Sequence, residues 1–530
     1  MRYDELLHQT FLDELRELEA FRLSHAASSL DRQDPDLRRL VEALAFFSAR
    51  THRAALESVA ASRLRLFQQM LPYAVSPVPA MGLITARPGG RFVEALDLPS
   101  GTEVAVRAGV GAPASFRTLR PLRVLPLFVE RVSLLPSGSG QRLVIEMETP
   151  VERRDELGDL ALHVRYLGDF ESSLRAVRAL RASARRAAVA FDEDVPFEAA
   201  GTPCPLSFGL PLAEGEEPSH PMEEARRALH FPEAELFVSA RLERPPGAWR
   251  KVALLIDLDA RFPRDLKIAR PETFTLFAVP MVNLDHSGAR PFVFDGTTER
   301  VRIRHPDASA RFALHSVRGV YRIDEGVRRP LWPALVAAGS GSYEVERAED
   351  GDEKGHWLHL HLPEAFERPC TIAVDALWHQ PAFSEKVEEG LEAWLRRHDV
   401  PGLAFEVSRP VAPAAPGAAA AGMDALLHVL GLQKRTHLER DEVMTLLDVV
   451  GGGWSRCYAP LRPLWADLRV SESPLSNAGE RRGTRGLTYH LAFRSLETVA
   501  PLAESFAERL RQVLDALLCE AVAVEVEASA

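Results

Sequence analysis

The sequence predicts an α+β multidomain protein with an N-terminal helical segment, β-rich central domains and a C-terminal α/β unit. Three observations carry that prediction. Apolar residues recur at helical spacing near both chain ends, short alternating runs bounded by Gly, Pro and Ser fill the middle, and one Ala/Pro/Gly stretch precedes the last hundred residues. At roughly 100 to 200 residues per domain, a chain of 530 residues corresponds to three to five units.

Residues 1–75 form the helical segment. Leu7, Phe11, Leu15 and Leu18 recur at steps of four, four and three on a stretch otherwise rich in Asp, Glu and Arg, which places one apolar stripe on one helix face. Two destinations remain open for that stripe, its own domain or an intermolecular bundle. A second helix begins at Asp34-Pro35-Asp36. Asp34 is placed to cap free N–H groups, Pro35 fits the first turn, and Asp36 favours the positive end of the helix dipole. Leu37, Leu40, Val41, Leu44 and Phe47 are expected to form its buried face. The helices end near Leu71-Pro72-Tyr73, and Ser76-Pro77-Val78-Pro79 continues as an extended connector.

From about Met81 the period changes to two, as in R-L-V-I-E-M-E at 142–148. Residues 76–270 read as a β-rich domain with one inserted helix at about 171–190, and 271–408 as a second β-rich domain. The inserted helix carries Arg175, Arg178, Arg181 and Arg185 along one side. They form either a solvated face or a dock for an acidic partner, with 192–194 (D-E-D) as the neutralising neighbour. The segment 409–422, R-P-V-A-P-A-A-P-G-A-A-A-A-G, reads as a linker because its small residues bury little. Residues 423–530 then form the C-terminal α/β unit. Its last helix repeats Val499, Leu502, Phe506, Leu510, Val513 and Leu517 at helical spacing, with the same two destinations open.

Composition excludes several functions. The formal net charge of −11 argues against a protein that works by neutralising phosphates along a nucleic acid. None of the five lysines follows a glycine, so no phosphate-cradling P-loop is present, and no histidine is followed by glutamate as a zincin helix requires. Gly451-Gly452-Gly453 follows a helix and reads as its stop. The four cysteines, Cys204, Cys370, Cys457 and Cys519, lie far apart and make no CxxC clip. No signal peptide or membrane span is evident, and a cytoplasmic protein with no cofactor is expected. One enzymatic alternative remains: alternation places His359 and His361 on one strand face, where two imidazoles can share a metal as in a hydrolase. Neutral histidines on a solvated face explain the same pattern. The sequence therefore offers no catalytic residues, and Leu7, Phe11, Leu15, Leu18, Phe506, Leu510, Val513 and Leu517 stand as candidate partner-binding residues.

Several segments together resemble the TssF family (also VasA or ImpG) of type VI secretion baseplate subunits, which is related to wedge proteins of contractile phage tails. The segment D-P-D-L-R-R-L-V-E-A-L-A-F at 34–46 and L-P-Y-A-V-S-P-V-P-A-M at 71–81 are similar to that family's N-terminal helix and its Tyr-Pro-rich exit. In the family's order follow L-P-S-G-T at 98–102, F-R-T at 116–118, L-P-L at 125–127 and F-P-E at 231–233. The most distinctive block is F-T-L-F-A-V-P-M-V-N-L-D-H at 274–286, in which Asn283 is expected to end a strand by side-chain hydrogen bonding. Past the proposed linker the family's Trp-Arg-Leu-Ile-Ser-His stretch is absent, which marks a divergent member. The resemblance implies a non-enzymatic wedge subunit that joins a TssG-like protein and a second copy of itself. It further implies contact with TssE-like and TssK-like subunits and a spike hub, in a platform for sheath polymerisation. A baseplate component of a phage-derived contractile particle is the alternative within the same architecture.

Overall fold

The computed structural model describes residues 3–24, 35–71, 75–109, 111–210, 220–242, 244–307, 311–337, 341–348, 355–386, 390–397, 399–417, 423–433, 435–451, 454, 456–474, 485–518 and 521–529. Seven α-helices occur among them: α1 (Tyr3–Ser24), α2 (Pro35–Met70), α3 (Phe170–Ser183), α4 (Pro221–His230), α5 (Met423–Leu432), α6 (Arg440–Val450) and α7 (Leu496–Leu517). Asp34, the expected cap of α2, lies outside the described residues. The chain folds into two compact units. One comprises residues 1–71, 294–303 and 331–369; the other comprises 72–293, 304–330 and 370–530.

In the first unit α1 and α2 pack on each other, and strands Ser342–Ala348 and Gly355–His361 pair antiparallel, with Arg300–Arg302 added beside the latter. The helices therefore share a compact unit with strands more than 220 residues later in the chain, which local patterning has no means of revealing.

The second unit is built on a closed antiparallel barrel. Its strand order is Met81–Pro88, Ala278–Val282, Ala114–Thr118, Glu103–Ala108, Leu391–Leu395 and Leu403–Ala412, the last pairing back on the first. Alternate residues turn inward: Ile84, Val104, Val106, Phe116, Val279, Met281 and Val407 fill the interior. Gly402 opens the final strand at φ +80°, where a Cβ would lie 2.6 Å from the Phe92 amide nitrogen. A five-stranded sheet (Thr202–Pro203, Ala184–Phe191, Trp249–Leu258, Gly140–Arg153, Phe128–Ser137) and a four-stranded sheet (Leu206–Phe208, Phe237–Arg241, Asp159–Val164, Phe274–Leu276) complete its centre. At the C-terminus, Trp465–Pro474 pairs antiparallel with Arg485–Phe493, and α7 carries the chain over to Ala521–Ala528, which pairs parallel with Arg485–Phe493.

Several expected boundaries move. The barrel draws strands from 76–270, from 271–408 and from the first residues of 409–422, so these spans are not separate bodies. Residues 409–412 are strand, and Ala415 exchanges two backbone hydrogen bonds with Val78. Barrel closure is a long-range pairing, whereas the linker reading weighed only local composition. Residues 418–422 lie outside the described set. The helix expected at 171–190 stops at Ser183, and Ala184–Phe191 is a strand whose buried run Ala187–Ala190 pairs with Trp249–Leu258. Gly451 does end α6, its N–H donating to Leu447 O at 2.8 Å. Asn283 follows the strand it was expected to end. Its amide donates to Ser115 O and its Oδ1 accepts the Gln380 N–H, both at 2.8 Å.

Candidate partner-binding surface

The α1–α2 hairpin buries a different face from the one expected. Ala45 and Ala49 are fully buried, and small side chains there let the helices approach closely. Ser48 donates to the Glu14 carboxylate at 2.6 Å and His52 Nδ1 lies 3.2 Å from its other oxygen. The Ser48 bond first and the His52 bond second hold that carboxyl below the usual range. Leu7, Phe11, Leu15 and Leu18 are half-buried.

The outer face of α2 carries what remains. Leu40, Leu44 and Phe47, expected in the core, are 57%, 52% and 63% exposed. Their spacing of i, i+4 and i+7 puts them on one ridge, which continues through exposed Thr51, Ala54, Ala55 and Ser58. Phe46, packed edge-on against Phe47, and Phe21 of α1 are exposed as well. The sequence showed this ridge as apolar periodicity. It did not show which periodic face was inside, because Ala45 and Ala49 carry little hydrophobic signal of their own.

The α7 stripe has the opposite fate. Phe506 stacks on Trp454 with centroids 4.7 Å apart and meets Trp465 edge-on at 5.9 Å, while the Tyr458 and Ser505 hydroxyls bond at 2.9 Å. Phe506, Leu510 and Val513 are fully buried, and Leu517 is 7% exposed. These four expected partner-binding residues are interior residues of the C-terminal fold. The aromatic residues that cover them come from the α6–sheet connection, a segment with no regular period to announce it.

The arginine row on α3 is also satisfied internally. Arg178 pairs with Glu504 at 2.6 Å and Glu508 at 3.1 Å on α7, Arg175 pairs with Asp265 at 2.6 Å, and Arg185, which falls on the strand after α3, pairs with Asp259. The neighbouring acidic triplet is not the neutraliser: Asp192 instead accepts the backbone N–H groups of Arg250 and Lys251.

Two arrangements bear on catalysis. His359 and His361 do share a strand face, but His359 Nε2 bonds Glu346 Oε2 at 2.7 Å, and that carboxylate also lies 3.4 Å from the Arg300 guanidinium. His361 Nε2 stands 4.0 Å from Glu344, and no third donor converges with the pair among the described residues. Ser287, His305 and Asp285 gather with Ser287 Oγ 3.0 Å from His305 Nε2. Asp285 approaches that same nitrogen at 3.4 Å while Nδ1 faces the backbone of Asp307, so the carboxylate sits on the wrong side of the imidazole to orient a general base.

Fold and surface together define a multidomain helix-and-sheet protein with an exposed apolar ridge on α2. Residues 20–181 match the family described as type VI secretion system, TssF. A chain of a cryo-electron microscopy structure of the type VI secretion TssK-TssF-TssG baseplate subcomplex is similar over 93% of this chain and 96% of that one, with a TM-score of 0.72 at 15% identity. A chain of a second structure, a type VI secretion baseplate complex, is similar over 99% and 97%, with a TM-score of 0.58 at 15% identity. No curated protein matches the sequence. Over residues 20–181 the chain is thus similar to TssF, and its fold is shared with chains of the two baseplate structures. The matched segment contains the whole of α2 and its ridge. No helix among the described residues is long and apolar enough to cross a membrane.

Proposed function

We propose that this chain is a structural wedge subunit of a type VI secretion baseplate, acting in the cytoplasm by binding and not by catalysis. The carrying observation is the exposed ridge Leu40, Leu44 and Phe47 on a helix that lies inside the TssF-matching segment. An apolar ridge of this kind is an anchor for a partner helix, since burying each large side chain contributes roughly 1.5–3 kcal/mol. The partner is a TssG-like subunit, with a second copy of the chain in the same wedge and TssE-like, TssK-like and spike-hub neighbours around it. The barrel and its flanking sheets supply a rigid body.

Co-expression with a TssG-like protein, followed by size-exclusion chromatography, tests the reading. A stable complex is expected for the wild type and a hundredfold or greater loss of affinity for Leu44→Glu combined with Phe47→Glu, since each introduced carboxylate must be desolvated in the contact. Two proteins that elute separately under native conditions contradict the proposal.

A further inference from the structure

The C-terminal sheet brings together three side chains that the baseplate reading does not use. The parallel register sets His490 beside Glu525, and Glu527, two residues on, shares the Glu525 face. His490 Nδ1 lies 2.9 Å from Glu527 Oε1 and 3.6 Å from Glu525 Oε2, and the three donor atoms all fall within 4.8 Å of one another. A tetrahedral ion with ligand bonds of about 2.05 Å has ligand–ligand edges of about 3.3 Å, and the two measured separations straddle that value. The other ring nitrogen is engaged by Ser471 Oγ at 2.8 Å on the facing strand. With Nε2–H donated to that hydroxyl, the Nδ1 lone pair points at the carboxylates, the orientation a metal-ligating imidazole takes from its outer partner. Two carboxylate oxygens and an imidazole nitrogen gathered this closely call for either a cation or a proton on Nδ1 between them. The side chain of Arg469, opposite His490 in the antiparallel register, is 3.6 Å from Asp467 and so is engaged elsewhere.

We propose that His490, Glu525 and Glu527 form a divalent-cation site of the zinc class, with one imidazole nitrogen and two carboxylates as ligands and the fourth position open to water. Mixed N/O donors suit zinc over magnesium, which prefers six oxygens. Exposed side chains (22% for His490, 64% for Glu525 and 42% for Glu527) make the site reachable from solvent. A bound ion would clip the last strand to the sheet.

The test uses full-length protein without a histidine tag, stripped with chelator and titrated calorimetrically with zinc chloride and, separately, magnesium chloride. One zinc equivalent is expected, with no measurable magnesium binding. His490→Gln and Glu527→Gln are each expected to weaken zinc at least tenfold, Ser471→Ala about tenfold, and His359→Gln not at all. Should His490→Gln fail to fold, Glu525→Gln, whose side chain is mostly solvated, provides the same comparison. Zinc binding that is absent in the wild type, equal in these variants, or lost with His359→Gln overturns the proposal; the ring then holds a proton, as an imidazolium between two carboxylates.

Discussion

Helices α2 and α7 carry nearly the same apolar rhythm and put it to opposite uses. In α7 the stripe faces Trp454, Tyr458 and Trp465 and is sealed; in α2 the stripe Leu40, Leu44 and Phe47 faces outward while Ala45 and Ala49 make the internal contact. Period alone therefore identifies a face that needs covering and is silent on what covers it. The answer depends on whether the chain carries elsewhere a set of large side chains shaped to receive that face.

The comparison can be pressed from several directions. The largest expected effect is acid destabilisation of the sealed interior. Burial holds His163 and His230 down to about 4 and His315 to about 3, below their ordinary value of 6.5. The unfolded chain thus takes up protons between pH 6.5 and 4 that the folded chain excludes, and stability falls as pH drops through that window by upwards of ~5 kcal/mol. Glu233, whose carboxyl burial raises, works in the opposite direction and offsets part of the loss. Urea unfolding at pH 7.5 and pH 5 measures the difference.

Phe506→Ala comes next. Removing a ring stacked between aromatic neighbours should cost about 3–5 kcal/mol in the same urea assay, whereas Phe47→Ala on the exposed ridge should change stability by less than about 0.5 kcal/mol. Equal effects at the two phenylalanines would erase the distinction between the two helices.

Arg226→Met is expected to cost about 2–3 kcal/mol. The buried Arg226 guanidinium donates to Val450 O and Ser76 O at 3.0 Å each, and its loss strands two carbonyls where α4, α6 and the connector after residue 75 meet. Leu15→Ala should have the smallest effect, about 1 kcal/mol, because its half-buried side chain stabilises the hairpin only in part. If that change instead abolishes partner binding and leaves stability intact, the contact face belongs to α1.

Most helices and strands were legible as local patterns, including α1, α2, α6, α7 and the alternating runs of the central sheets. The closure of Met81–Pro88 onto Leu403–Ala412 was not, since more than 310 residues separate the partners and neither strand's alternation names its mate. The same limit explains the linker reading of 409–422, whose first residues complete the barrel. Short elements escaped too. Helix α4 spans ten residues, and Ala521–Ala528 follows a long helix as a brief run of alternating Val and Glu. At the candidate surface the sequence located the apolar residues of both terminal helices, but it assigned burial by hydrophobicity and so placed Leu40, Leu44 and Phe47 inside. Family motifs at 34–46 and 274–286 supplied the functional reading that composition could not.

Hydrogen–deuterium exchange on the chain alone and mixed with a TssG-like protein, the proposed partner, addresses the central contrast most directly. Peptides spanning residues 35–60 are expected to gain protection in the complex while those spanning 496–517 remain unchanged. Protection confined to 496–517, with the α2 ridge exchanging as it does in the free chain, would contradict the account.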